Sequence, residues 1–217
     1  MSRNERARGG EVPVLDVVGF LLARDSELGD DADVSPMKLQ KLLYLAQGNY
    51  LAATGRRLFD EDVLAYDHGP VIYAPYAQYR GLATPIVRSQ VHRTGCELPA
   101  NIEEFMQRVW DTWSGRSAGA LRELTHRQMP WRKNYRPGVR HVQIPDSDMI
   151  AYFGSEAPLE QRVFPRTADV APAGSEPAAS QVRGMFARPR GERLQLPVRT
   201  RVDRSARAAE LRSARAE

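Results

Sequence analysis

Ser35-Pro36-Met37-Lys38-Leu39-Gln40-Lys41-Leu42-Leu43-Tyr44-Leu45-Ala46-Gln47-Gly48-Asn49-Tyr50-Leu51-Ala52-Ala53-Thr54-Gly55 is the stretch that decides the fold class. A serine hydroxyl accepts from the unpaired N–H groups of a first helical turn, and proline has no N–H to lose there, so Ser35-Pro36 starts a helix. Leu39, Leu42, Leu43, Ala46 and Tyr50 recur at helical spacing, and Gly55 stops the helix after about Thr54. Lys38, Lys41 and Asn49 fall outside this stripe, and Lys38 and Lys41 read as the solvated face of an amphipathic helix. Tyr44 lies beside the stripe, where a half-buried ring with its hydroxyl outward suits an interface as well as a core edge.

Outward from this helix the pattern stays mainly helical. Toward the N-terminus, Val14, Val17, Val18, Leu21 and Leu22 follow Pro13 at helical spacing and predict a helix ending near Asp25, with a polar loop at residues 29–33. Toward the C-terminus, Val63–Tyr66 reads as a short extended segment before a Gly69-Pro70 turn, and Tyr73, Tyr76 and Tyr79 predict a short helix starting near Pro75. Residues 81–98 read as loop, with a strand at Ile86–Val91. Ile102, Phe105, Met106, Val109 and Trp113 share a helix face, with Asn101 and Glu104 in capping-box spacing. Ser117 caps a further helix running to about Gln128, where Pro130 closes it. Val139–Ile144 alternates like a strand, and Asp146–Phe153 makes a last helical turn.

Composition sets the organisation. Up to Glu156 there are 19 basic and 20 acidic residues; beyond it 12 and 7, and every one of those 12 cations is arginine. From Ala157 onward Pro, Ala, Ser, Gly and Arg dominate, too little apolar surface to offset ordering entropy, although Ala206–Glu217 has the look of a marginal helix. The expected arrangement is a flexible N-terminus at 1–11, one folded domain at 12–156 and a disordered Arg/Ala/Pro-rich tail at 157–217. A single cysteine, Cys96, leaves no internal disulfide and points to the reducing cytoplasm. Asp16 interrupts the apolar run after Arg3, Arg6 and Arg8, which argues against a secretory leader, and no stretch reaches the roughly 20 apolar residues of a membrane span.

Four words stand out in order: Met37 to Tyr44, Ala65-Tyr66-Asp67-His68-Gly69-Pro70-Val71, Leu124-Thr125-His126, and Met129-Pro130-Trp131, closed by Ile150-Ala151-Tyr152-Phe153. Together they resemble the Panacea domain family, the SocA-like antitoxins that include phage-associated GepA-like proteins, over about residues 15–153. Tyr66 stands where the family has a tryptophan, and the proline after the turn comes later, at Pro75. The resemblance implies a compact helical domain with short β additions that binds and neutralises a cognate protein toxin by stoichiometric masking. It also implies, as an alternative, an adaptor that hands its toxin to a Clp protease. On this reading the toxin-binding residues are Lys38, Lys41, Tyr44, Tyr66, His68, Gly69, Pro70 and Tyr73, while Thr125, His126, Pro130 and Trp131 form a structural motif.

The residues themselves admit plainer roles. His68 in a turn satisfies carbonyls or meets solvent, and His126 near a helix C-terminus gains from the helix dipole when charged. Trp131 after Pro130 packs on the preceding helix while its indole N–H finds a local acceptor. No HExxH, CxxC, P-loop, GxSxG or dinucleotide fingerprint occurs, so no cofactor or metal is expected. A hydrolase or nuclease would have to use His68 and His126 with scattered carboxylates such as Asp67 and Glu123. Nucleic acid is expected to bind only weakly, through the arginines of the tail.

Overall fold

The computed structural model describes residues 10–82, 86 and 98–163. The chain divides into two units, 1–175 and 176–217, and the second lies wholly outside the described residues. Also outside them are the tail beyond Val163, its closing helix, residues 1–9 of the N-terminus, and the strand expected at Ile86–Val91 apart from Ile86 itself.

The fold is mainly helical, as the sequence predicts. Its elements are α1 (Val14–Ser26), α2 (Pro36–Thr54), the strands β1 (Val63–Tyr66) and β2 (Gly69–Ile72), α3 (Tyr73–Tyr79), α4 (Ala100–Trp113), α5 (Ala118–Arg127), α6 (Met129–Asn134) and α7 (Asp146–Ala151). No helix among the described residues is long and apolar enough to cross a membrane. Ser35 accepts from the Lys38 N–H at 3.1 Å and Ser117 from the Ala120 N–H at 3.2 Å, so both predicted caps form. The capping box expected at Asn101 does not form. Pro99 takes the N-cap position instead, and its carbonyl accepts from the N–H groups of Ile102 and Glu103. Proline suits that place because its extended φ and ψ lead into the first turn and it has no N–H to leave unpaired.

Helix α2 is the centre of the molecule, packed by α1, α4, α5, α7 and β2. Leu39, Leu42 and Leu43 are fully buried, as predicted. The solvated face predicted for Lys38 and Lys41 is absent: these residues, with Gln40, Gln47 and Asn49, are also buried. Surrounding segments close over every side of the helix, so its polar groups turn to loop backbone for partners. Gln40 accepts from the Ile72 N–H at 2.7 Å. Gln47 accepts from the Leu58 and Phe59 N–H groups and donates to the Phe59 carbonyl. Lys38 donates to the Asp33 carboxylate and, at 2.7 Å, to the Ser114 carbonyl. Asn49 accepts from the Val163 N–H at 2.6 Å. Each bond fastens a non-helical segment to the central rod, and a buried polar group left without such a partner would cost about 1–3 kcal/mol.

Packing also runs past the edges drawn from the sequence. Gly10, Glu11 and Val12 are held by N–H bonds to Asp60, Arg57 and Leu58, although residues 1–11 were expected to be flexible. At the other end α7 continues into a π-helical turn (Tyr152–Glu156) and a 3-10 turn (Leu159–Gln161), and Ala157 and Val163 are buried beyond the predicted boundary at Glu156. Arg57 ties the loop after α2 to the start of α7 through a two-pronged bond to Asp146 and a third bond to Asp62. The predicted strand at Val139–Ile144 shrinks to a bridge between Gln143 and Leu64. It is flanked by Ala65 N–H to Val142 O and Ile144 N–H to Val63 O, so β1 is paired on both edges over this short length.

Candidate functional site

The site grows from the tight antiparallel pair β1–β2, whose register sets Tyr66 opposite Gly69 across the Asp67-His68 turn. Gly69 has φ +95°, a left-handed conformation that favours glycine, and a methyl group there would lie 2.8 Å from the Lys41 amine. Lys41 reaches the turn from inside and donates to the Pro70 carbonyl at 3.0 Å. No carboxylate pairs with it among the described residues. Burial first, and the Arg122 charge second, lower its pKa from 10.5 to about 7.

The other wall is the junction of α5 and α6. Gln128 leaves the helical conformation and Pro130 restarts it, which turns Trp131 back across α5. Its indole stacks between His126 (4.1 Å, 9°) and Tyr135 (4.5 Å, 15°). Its N–H does not find the local acceptor the sequence predicts; it donates to the Tyr66 carbonyl at 2.9 Å, distant in sequence yet adjacent in space. Thr125 is buried and donates to the Arg122 carbonyl. The motif Thr125, His126, Pro130 and Trp131 therefore lies against the Tyr66–Pro70 turn. The dipole expected to favour charge on His126 is outweighed: burial, then Arg122 and Lys41, lower its pKa, with the His68 backbone and Glu123 opposing. His126 Nε2 is buried without a hydrogen-bond partner among the described residues.

Of the residues predicted to meet a partner, Lys38, Lys41, Gly69 and Pro70 are buried. Tyr44 is fully buried too, its ring edge-on to Phe153 at 5.7 Å, so it is core and not the half-buried rim residue the sequence also allowed. Burial, with Tyr152 adding, pushes its phenol well up. His68 is exposed, Tyr66 half-buried and Tyr73 half exposed, and these three reach the surface.

Sequence reading missed the residues around them. Tyr66 meets Tyr76 at 5.7 Å and His141 at 5.8 Å, and Tyr73 meets both Tyr76 (6.4 Å) and His141 (5.5 Å). The Tyr66 hydroxyl and His141 Nδ1 are 3.2 Å apart. Tyr135 donates its phenol to Asp67 at 2.9 Å, a bond that, ahead of burial and the Asp67 charge, raises its pKa. The readable signal was composition: residues 129–145 carry Arg132, Lys133, Arg136 and Arg140 among aromatic rings and no carboxylate at all.

Lys41 and Trp131, both beside His126, donate to the Pro70 and Tyr66 carbonyls of the turn. The His68–His126 approach runs through the His68 backbone, and no group of three or more His, Cys, Asp or Glu among the described residues could hold a metal ion.

A helical domain wrapped round one buried helix, with a β-turn locked beneath a stacked Trp–His–Tyr trio, defines the class. Residues 39–132, from within α2 into α6, match the family model described as antitoxin SocA-like, Panacea domain. The match supports an antitoxin-type role. No curated protein and no solved structure matches the chain.

Proposed function

We propose that this protein is the antitoxin of a toxin–antitoxin or phage-defence pair and neutralises a cognate protein toxin by stoichiometric binding in the cytoplasm. The observation that carries the reading is the family match across α2, the β-turn and the α5–α6 junction, the elements that build the site. The contact is made at the outer side of the turn by Tyr66, His68 and Tyr73. Lys41, Gly69 and Pro70 set the turn's shape from beneath, while Lys38 and Tyr44 hold α2 in place. Tyrosine suits this task, since its ring adds contact area at little entropic cost and its hydroxyl stays hydrated until bound.

The test is co-expression with the protein encoded by the adjacent reading frame. The expected result is a complex that co-purifies at one antitoxin per toxin and cells that grow when the two are made in equal amounts. A neighbouring toxin that neither binds the chain nor is silenced by it would refute the reading.

A further inference from the structure

The geometry points to a docking face for an acidic protein segment, formed by the ring cluster Tyr66, Tyr73, Tyr76 and His141 together with Arg140. This deepens, and rests on, the reading that the chain works by binding another protein. Three separate pieces of chain supply the cluster: the end of β1, helix α3, and the segment after α6. Side chains of these sizes ordinarily bury themselves, yet Tyr73 is 50% exposed and His141 is exposed. The rings immobilise one another by edge contacts, so a partner meets a surface already ordered and binding loses less entropy. His141 has φ +61°, a left-handed conformation that is uncommon outside glycine and costs about 1 kcal/mol. Its ring meets Tyr66 and Tyr73 in that conformation.

Charge selects the occupant. Arg132, Arg136 and Arg140 are exposed and form no ion pair among the described residues, whereas Lys133 is paired with Asp148. The nearby carboxylate, Asp67, is engaged by the Tyr135 hydroxyl. Exposed arginine beside fixed tyrosine is the composition of interface hot spots. The chain's own C-terminal stretch, with 12 cations against 7 carboxylates after Glu156, has the same sign as this face. A second copy placed about a two-fold axis would set like charges together. Nucleic acid fits less well: the chain up to Glu156 carries 20 acidic against 19 basic residues, and the edge-on rings leave few faces open for base stacking.

The test uses the full chain and a displayed library of random linear peptides, followed by titration of the tightest peptide against wild type, Arg140→Glu and Tyr73→Ala. The expected consensus is rich in Asp and Glu, with affinity falling as salt rises and dropping more than about tenfold in each variant. Both side chains are exposed, so unchanged circular dichroism should show that the fold survives. A consensus without acidic residues, no binder at all, or equal affinity for Arg140→Glu would overturn the inference. So would binding of single-stranded RNA, in place of acidic peptides, that Arg140→Glu abolishes. Selection of acidic peptides by a chain that fails to silence its neighbouring toxin would sink the antitoxin reading and leave the docking face standing. Toxin rescue unaffected by Arg140→Glu and Tyr73→Ala would do the reverse.

Discussion

Lys41 is buried against the Pro70 carbonyl with no carboxylate among the described residues to answer its charge, so its amine loses the proton at about pH 7 in the folded protein and near 10.5 in the unfolded chain. Between these values the unfolded chain binds more protons, and stability must rise with pH. Above about pH 10 the slope reverses, because the buried Tyr44 phenol keeps a proton that the unfolded chain gives up. His126, also lowered, acts in the same direction as Lys41 but at and below its ordinary value of 6.5, so the rise between about 7 and 10 belongs to Lys41. We expect chemical denaturation to show a gain on the order of several kcal/mol across that range, and Lys41→Met to flatten it whatever its absolute stability. An unchanged slope in Lys41→Met would show that the amine is solvated after all. That the lysines of α2 point inward was partly legible: residues 36–54 contain no Asp or Glu, which is unusual for a solvated helix face. Periodicity assigned the leucines to the core correctly but assigned the polar positions to water, because it cannot see that other segments close over every side of the helix.

At the scale of elements, helices announced by a local device were readable. Ser35 and Ser117 cap as their sequences imply, while α4 begins at Pro99, because the proline supplies a competent start two residues before Asn101. The bridge at Gln143 was only half legible, since a strand reduced to one bridge is fixed by its partner β1 and not by its own alternation. The same holds for the site. The turn and Trp131 were visible as words, but Tyr76, Arg140 and His141 join them through the pairing of residues 142–144 with β1. Contacts between elements give two further tests. Gly48 lies under the Phe153 ring, where a methyl group would come within 2.2 Å of it. Gly48→Ala should therefore push the π-helical turn off α2 and cost about 1–3 kcal/mol in a denaturant melt, despite alanine's better helix propensity. Stabilisation by Gly48→Ala would mean that α2 and the Phe153 ring do not pack this closely. Trp131→Phe keeps an aromatic ring for stacking but removes the N–H donated to the Tyr66 carbonyl. Its expected cost is about 1–2 kcal/mol, with faster amide exchange in Gly69–Ile72 than in α4. Equal exchange in both segments would detach Trp131 from the turn.

At the scale of the whole molecule the question is how one chain silences another, and stoichiometry decides it. A masking protein protects one toxin per site, whereas an enzyme turning over at about 1 to 1000 per second would protect cells far below equimolar amounts. His126 is stacked on Trp131 with its charge disfavoured, and His68 is exposed in the turn. If binding is the mechanism, neither ring performs a chemical step, and His68 is one contact among three, with Tyr66 and Tyr73 left to hold the toxin. We therefore expect His68→Ala combined with His126→Gln to keep full rescue in a titration of antitoxin against toxin, with the break point near one to one. Thermal unfolding should accompany the titration, because His126→Gln loosens the stack and lowers the melting temperature by itself. Rescue well below equimolar amounts would reject simple masking. Repeating the titration without Clp protease then separates the remaining cases, since a delivering adaptor needs proteolysis to be recycled and a catalyst does not. A folded histidine double variant that still binds toxin yet no longer protects would count most heavily against binding as the mechanism, because it would place a chemical step at the turn whose geometry we read as structural.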